Sequence, residues 1–309
     1  MNQINNTSDS NDEINLKDLF NIILNKKLII ISITSFAAVL SVVVALLLPN
    51  IYTSSSLLAP TSQDESLSSN LGGLSGLAGL AGVNLPAGSV SDSQIAVKRI
   101  ESLEFFSKYF LPNIKIENLM AVKEWKPQDN KLTYYKSWYD SESDKWVRKA
   151  SYPKKTIPSA QESFKEYKKL MSINQDEESG LVSISIKHKS PIIAKKWMDI
   201  IIFNINKNMR EIDKKDAENS IAFLSQSSKS TSIQSIKEVT SKLLEAQMQT
   251  LMLASTDDDY VFKTINSPIV PEEKSSPNRP LICIMGSILG FIMSMVIVLI
   301  MHARQNPIK

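Results

Sequence analysis

Two long uncharged stretches, one near each end of the chain, limit what this sequence can fold into. Leu28–Leu48 and Leu281–Met301 are 21 residues each and hold no charged residue, although the chain has 35 Lys and Arg and 32 Asp and Glu. About 20 apolar residues in a helix cross a hydrocarbon layer that is ~30 Å thick. The sequence therefore predicts two transmembrane helices and argues against a freely soluble enzyme.

The first stretch could instead belong to a cleaved signal peptide. The apolar region of a signal peptide has ~7–15 residues behind a short basic segment. Here the apolar run is longer, and residues 1–27 before it contain several acidic residues. Leu47-Leu48-Pro49 at its end offers no small-x-small cleavage site. We therefore predict that the first helix is retained.

The basic residues near the two stretches predict the orientation of the chain. Lys26 and Lys27 precede the first stretch and Arg304 follows the second, whereas 49–63 has no basic residue. Lys274 weakens this asymmetry slightly. Because basic residues favour the cytoplasmic side, we expect both termini in the cytoplasm and residues 49–280 on the far side.

Composition and motifs exclude several classes of function. The net charge of +3 is too small to indicate nucleic-acid binding, and a single cysteine, Cys283, allows no intrachain disulfide and no cysteine-rich metal site. The chain has no G-x-x-x-x-G-K-[ST], G-x-S-x-G or H-E-x-x-H motif. Asp257–Asp259 is read as a solvated helix end rather than a cation site. We expect no catalytic, cofactor-binding or metal-ligating residues.

The middle segment mixes helix and strand signals, which predicts an α+β membrane protein with an α/β base domain over 49–190. The expected elements are a strand from Tyr52, a helix over 91–109, a capped helix from Ser159 and Glu162 to about Met171, a strand over 182–188 after a turn at Gly180, and a returning strand over 260–265. A Gly-rich stretch at 71–88 is either a loose loop or a small-residue packing surface. His188 is expected to be structural or exposed.

Two groups of side chains leave alternatives open. Trp125, Trp138 and Trp146 are favoured as core residues, with sugar contact as the alternative. The basic stretches 145–149 and 154–155 face either anionic lipid or sugar, or simply water.

A long helical element is predicted for residues 191–256, because apolar residues step by three or four from Trp197 and no proline or glycine occurs between Pro191 and Pro268. One continuous helix over 192–254 would be ~95 Å long, and the 26 residues that remain before the second span reach at most ~90 Å. The serine-rich stretch 225–235 favours a hairpin. A helix that starts above the membrane is the alternative.

Residues 257–280 are predicted to return as a strand and a stiff Pro-rich strap, which contains Pro268, Pro271, Pro277 and Pro280. The second span then carries Gly286 and Gly290, a small-xxx-small pattern that allows close packing of helices in lipid. The first span has Ala37, Ser41 and Ala45 at the same spacing. We hypothesise that the four prolines and two glycines serve coupling or oligomer contacts.

The full predicted organisation is 1–27 N-terminal segment, 28–48 helix, 49–190 base, 191–256 protrusion, 257–280 strap, 281–301 helix and 302–309 tail.

With this organisation, the sequence resembles the Wzz chain-length determinants, the polysaccharide co-polymerases of bacterial inner membranes. The segments that carry the resemblance are Tyr52–Leu58, Lys145–Lys149 with Pro158-Ser159, Gly180–Pro191 with Ala194 and Trp197, and Pro268, Pro271 and Ser276–Pro280 running into Gly286 and Gly290.

The resemblance implies a periplasmic domain with a helical protrusion, anchored by two spans with both termini cytoplasmic, and assembly of a homo-oligomeric ring. It implies non-enzymatic control of the chain length of lipopolysaccharide O-antigen or a related surface polysaccharide. The implied partners are a Wzy-type polymerase and membrane lipid, with the growing polysaccharide as a further candidate, and the implied set includes no cofactor and no nucleic acid.

Three other functions compete with this reading. The first is the membrane component of a capsule or exopolysaccharide export system with a separate kinase. The second is a signalling sensor, for which the eight residues after Met301 are too short to form an output domain. The third is a glycan-processing enzyme, which needs a carboxyl group of raised pKa. Nothing in the sequence indicates such a group in carboxylate pairs such as Asp213 and Asp216.

Overall fold

A computed structural model describes residues 25–61, 91–230, 233–256 and 258–305. The Gly-rich stretch 71–88, most of the N-terminal segment and Asp257 lie outside the described residues. The chain forms two compact units, Met1–Pro49 with Ser276–Lys309 (unit 1) and Asn50–Ser275 (unit 2).

The helices and strands are named in chain order. The helices are α1 (Lys27–Leu47), α2 (Asp92–Ile100), α3 (Leu103–Phe105), α4 (Ile116–Met120), α5 (Ala160–Leu170), α6 (Pro191–Ser230), α7 (Gln234–Thr256) and α8 (Arg279–Gln305). The strands are β1 (Tyr52–Pro60), β2 (Val122–Lys126), β3 (Lys131–Tyr134), β4 (Tyr139–Asp140), β5 (Lys145–Trp146), β6 (Met171–Gln175), β7 (Val182–His188) and β8 (Phe262–Asn266).

Unit 1 contains the two apolar helices, α1 and α8, which are long and apolar enough to cross a membrane. Most of their large side chains are exposed, as for Phe36 at 71% and Met293 at 58%. A core helix of a soluble protein would bury these side chains, so the exposure favours a lipid environment. The predicted combination of two apolar terminal helices with a mixed helix and sheet architecture is confirmed.

Unit 2 is built on a four-stranded antiparallel sheet with the order β6-β7-β1-β8. Burial alternates along β7, where Val182, Ile184 and Ile186 are fully buried and the serines between them face outward. Gly180 makes the turn before β7 with a φ of +69°, a left-handed conformation that favours glycine. The predicted half-buried strand is therefore confirmed.

The core of unit 2 lies between this sheet and the helices α2, α5 and the first half of α6. Aromatic rings occupy its centre: Tyr167 lies 4.8 Å from Phe110 and Phe110 lies 5.6 Å from Trp197 between ring centroids. The capping box predicted at the start of α5 is confirmed, since Ser159 and Glu162 exchange both hydrogen bonds.

The single helix expected over 91–109 is interrupted. Helix α2 ends at Ile100, and Ser102 caps α3 by accepting a hydrogen bond from the Phe105 amide at 3.1 Å. A π-helical turn over Phe106–Phe110 follows. Apolar spacing did not reveal the break, because Ser102 competes for backbone groups that a continuous helix would use.

The tryptophans at 125, 138 and 146 are not part of the core, so that prediction is wrong. All three are half-buried, and only Tyr139 among the neighbouring tyrosines is buried. The reason is that β2–β3 and β4–β5 form separate two-stranded sheets, which are too small to enclose large rings.

The long helical element consists of α6 and α7, which pack against each other as a hairpin. Helix α6 ends at Ser230 and α7 begins at Gln234. Beyond Met209 the only residue of α6 that is buried is Ala217, whereas Phe223, Met248 and Met252 are 57–70% exposed. A two-helix hairpin has one contact face and leaves these apolar side chains in solvent.

Candidate functional site

The two glycines predicted for close packing lie on the face of α8 that meets α1. A Cβ atom added at Gly286 would overlap the Cβ atom of Ser41, and one added at Gly290 would overlap the Cβ atom of Ala37. The pairing is antiparallel, since the guanidinium of Arg279 donates to the Ala45 carbonyl at 3.2 Å near the other end of the pair. The helix contact therefore depends on residues without a side chain at 286 and 290.

Helix α8 begins two residues earlier than predicted, at Arg279 rather than at 281. The Asn278 side chain accepts a hydrogen bond from the Leu281 amide at 3.4 Å, which is the geometry of a helix cap. Pro280 therefore lies in the first turn of the helix, where its missing N–H costs nothing. Pro277 precedes the cap and is half-buried.

Pro268 and Pro271 belong to unit 2, so the structure divides the six predicted site residues between the two units. Pro268 is buried and Pro271 half-buried in a strap that follows β8. Serines of β1 hold the strap and the strand end before it: Ser54 donates to the Ile269 carbonyl at 3.0 Å, and Ser56 donates to the carbonyl of Asn266, the last residue of β8, at 2.7 Å.

These hydroxyl groups explain how a Pro-rich segment stays beside a strand. Proline has no N–H to donate to a β ladder, so side chains of β1 donate to the strap carbonyls instead. Ser275, the last residue of unit 2, donates its amide to the Ile51 carbonyl at 2.8 Å, and Thr53 donates to the Ser275 hydroxyl at 2.7 Å. The sequence predicted the stiff strap and missed the hydroxyl contacts that secure it.

Within the basic stretch 145–149, Arg148 is buried and neither faces water nor is free for a ligand. Its guanidinium donates to both carboxylate oxygens of Glu162, at 2.7 and 3.3 Å, and to the carbonyls of Lys155 and Thr156 at 2.6 and 2.8 Å. The group also lies 5.5 Å from the centroid of the Trp138 ring. Arg148, the main cause, lowers the pKa of the Glu162 carboxyl.

Asn206 joins α6 to the returning strand, and sequence analysis missed it. Its amide group donates to the Phe262 carbonyl at 2.9 Å, and its carbonyl oxygen accepts from the amides of Val261 and Phe262 at 3.0 and 2.9 Å. The side chain is 3% exposed. Asn206 therefore satisfies three buried backbone groups.

His188 is a buried structural histidine at the end of β7, stacked edge-on against Trp197. Its Nδ1 accepts from the Ser190 amide at 2.9 Å, so the neutral ring carries its proton on Nε2, 3.0 Å from the Asn118 carbonyl. Burial, the main cause, lowers the pKa of His188 to about 4.

We expect acid to destabilise unit 2 through His188. Its folded pKa lies below the ordinary value of 6.5, so the unfolded chain binds the proton first. The resulting loss of stability begins as the pH falls through 6.5, levels off below about 4, and is on the order of 3 kcal/mol. Thermal unfolding of the full chain in detergent between pH 7.5 and 5 measures it.

A His188→Gln variant is the control for this prediction. It should show a flatter change of melting temperature between pH 6.5 and 5. Parallel melting curves for the two proteins across that range would contradict the assignment.

Among the residues that the structure describes, Asp213 has a carboxyl group that bears on the enzyme alternative. Burial, the main cause, raises its pKa, and Tyr260 donates to it at 2.9 Å. Tyr260 itself is buried, and the pair links α6 to the segment before β8. Within the described ranges, no three His, Cys, Asp or Glu side chains form a group that could hold a metal ion.

One part of the chain matches the model of a known protein family. Residues 12–110, which include α1, β1 and α2, match the family model for Wzz, the chain length determinant proteins. The resemblance seen in the sequence is thereby confirmed. A search of curated proteins gave no match.

Among solved structures, a full-length bacterial polysaccharide co-polymerase covers 94% of this chain and 99% of its own, with 13% identity and a TM-score of 0.40. A fragment of WzzB, a polysaccharide co-polymerase from Salmonella Typhimurium, covers 74% of this chain and 100% of its own, with 13% identity and a TM-score of 0.28. Because both scores are low, the match over 12–110 is the finding that links this chain to known proteins.

Proposed function

We propose, from the match of residues 12–110 to the chain length determinants, that this protein sets the length of a bacterial surface polysaccharide. It acts in the inner membrane on lipopolysaccharide O-antigen or a related polymer, together with a Wzy-type polymerase. Its bulk lies in the periplasm and both termini in the cytoplasm. It has no catalytic activity of its own.

The hairpin of α6 and α7 supports an assembled state. Large apolar side chains on it, including Phe223 and Met252, are 60–70% exposed. Such surfaces are usually covered in homo-oligomers with closed symmetry. We therefore include a homo-oligomeric ring in the proposal, in which neighbouring copies cover these side chains.

The strap and the face of α8 that carries Gly286 and Gly290 provide a connection through which unit 2 and the two apolar helices affect each other. The strap is fixed to β1 by Ser54 and Ser56, and the chain continues directly into α8, whose Gly286 and Gly290 pack on α1. Short, well-anchored connections leave little slack in the chain. We propose that Pro268, Pro271, Pro277 and Pro280 keep this connection stiff.

Deletion of the gene, followed by gel electrophoresis of the surface polysaccharide, tests the proposed function. We expect the modal band to disappear while short and randomly distributed chains remain, because the polymerase stays intact. Expression of the full chain from a plasmid should restore the modal band.

Two other results would count against the proposal. Loss of all polymer would favour the export alternative, in which the protein works with a separate kinase. An unchanged length profile would exclude length control altogether.

A further inference from the structure

An open groove of about 1020 Å³ lies in unit 2 between the first turns of α5 and the loop of residues 147–154. The Arg148–Glu162 pair and Trp138 are among the residues that line it. All of its lining residues fall within 120–169, so it is contained in one unit. Arg148 and Lys149 of the first basic stretch and Lys154 of the second line the groove.

The groove carries a concentrated positive charge. Its lining has six basic side chains and two carboxylates, an excess of four charges against +3 for the entire chain. Both carboxylates are already engaged, Glu162 by Arg148 and Glu166 by Lys169 at 2.7 Å. In the part of the chain that the structure describes, Lys149 and Lys165 form no salt bridge and are exposed, so their charge attracts anions.

Aromatic rings accompany these lysines. Tyr152 is 97% exposed at the rim, and the half-buried Trp138 has Arg148 on one side of its ring. A flat apolar ring offers a surface on which the apolar face of a sugar ring can pack. Ligand sites typically combine such rings with a few polar groups that fix orientation.

The loop that bears these groups is organised in advance. Arg148 donates to the carbonyls of Lys155 and Thr156 while it binds Glu162 at the start of α5. Lys149, Tyr152 and Lys154 therefore lie on a loop that is fixed on both sides. A ligand that binds there loses less free energy to ordering of the protein.

We propose that this groove binds an acidic polysaccharide, a polymer whose sugars carry carboxylate or phosphate groups. The inference rests on the proposed function for the presence of a polysaccharide and adds its chemical class. An anionic membrane surface is the less suitable partner. Its flat face does not fit a concave site.

Binding of uronate oligosaccharides to the purified full chain in neutral detergent tests the proposal. The probe is polygalacturonate, and dextran is the neutral comparison. We expect saturable binding of polygalacturonate that weakens as NaCl is raised, since salt screens the charges. Dextran should bind at least about 10-fold more weakly, because it lacks the charged groups.

Matched variants distinguish binding in the groove from attraction by positive charge elsewhere on the chain. Lys149→Gln, Lys154→Gln and Lys165→Gln together should weaken binding by about 10-fold. Lys214→Gln, Lys215→Gln and Lys229→Gln remove the same charge from exposed positions of α6 and should leave binding within about 2-fold of the parent. Equal losses in both triple variants would overturn the assignment to the groove.

Tyr152→Ala separates sugar recognition from attraction of any polyanion. It should weaken binding of polygalacturonate and leave binding of polyglutamate, which has no sugar, unchanged. Equal binding of the two polymers, with no effect of Tyr152→Ala, would mean that the groove is only a cationic patch and would overturn the proposal.

Two further results would also overturn it. One is the absence of polygalacturonate binding. The other is preferential binding of phosphatidylglycerol vesicles by the chain in phosphatidylcholine nanodiscs. If deletion of the gene removes the modal band while the chain ignores polygalacturonate, only this inference fails. An unchanged length profile after deletion is instead a failure of the proposed function.

Discussion

Replacement of Gly286 and Gly290 by leucine is expected to separate the two apolar helices and shift the length distribution of the surface polysaccharide. The new side chains would occupy the space now filled by Ser41 and Ala37. Helices in lipid associate through such close packing, and overpacking costs about 1–3 kcal/mol at each site. Gel electrophoresis of the polysaccharide measures the shift, and immunoblots of the membrane fraction show that the protein is present.

Exposed positions on the same helix provide the control. Met285→Leu and Leu289→Met change side chains that are 51% and 58% exposed and should leave the length profile unaltered. A compensating pair makes the test sharper. Gly286→Ala alone should disturb the contact, and Ser41→Gly added to it should restore the original distribution. A normal profile in the double leucine variant would remove the coupling role of the glycines.

Asn206→Leu is expected to destabilise unit 2 strongly. The change leaves three buried backbone groups of Val261 and Phe262 without a hydrogen-bond partner. Each such group costs about 1–3 kcal/mol, so we expect a total loss of about 3–9 kcal/mol and a fall in melting temperature of about 10 °C or more. Thermal unfolding of the full chain in detergent measures it.

Asn204→Leu is the matched control, because Asn204 is also buried in α6. Its amide group donates to the Ile200 carbonyl of the same helix, at 2.8 Å. We expect its melting temperature to fall by no more than about 4 °C. If the two variants were equally stable, the contact of Asn206 with the returning strand would not carry the stability assigned to it.

Features that depend on neighbours in sequence could be predicted. The uncharged runs that became α1 and α8, the capping box at Ser159 and the alternation along β7 are all set by local spacing. Local spacing also has clear limits. It predicted one helix over 91–109, because Ser102 does not interrupt the apolar helical pattern. The structure shows that the Ser102 side chain caps a separate helix, α3.

Features that depend on distant residues could not be predicted. Arg148 and Glu162 are 14 positions apart and meet only because a loop folds back on α5. Asn206 lies between apolar residues of α6, and nothing in its neighbourhood indicates that residues 261 and 262 will face it. The same holds for the serines of β1, whose partners in the strap are more than 200 positions away.

The hydrogen bond between Ser275 and Ile51 has a consequence for how this protein can be rearranged by recombination. The two residues are the ends of unit 2 to within one position, and 2.8 Å separates the Ser275 amide nitrogen from the Ile51 carbonyl oxygen. A module whose two ends are adjacent can be inserted into a host chain, or removed from it, without distortion of the module or of the host. Residues 50–275 therefore form a cassette that a single gene exchange could move between different pairs of anchoring helices.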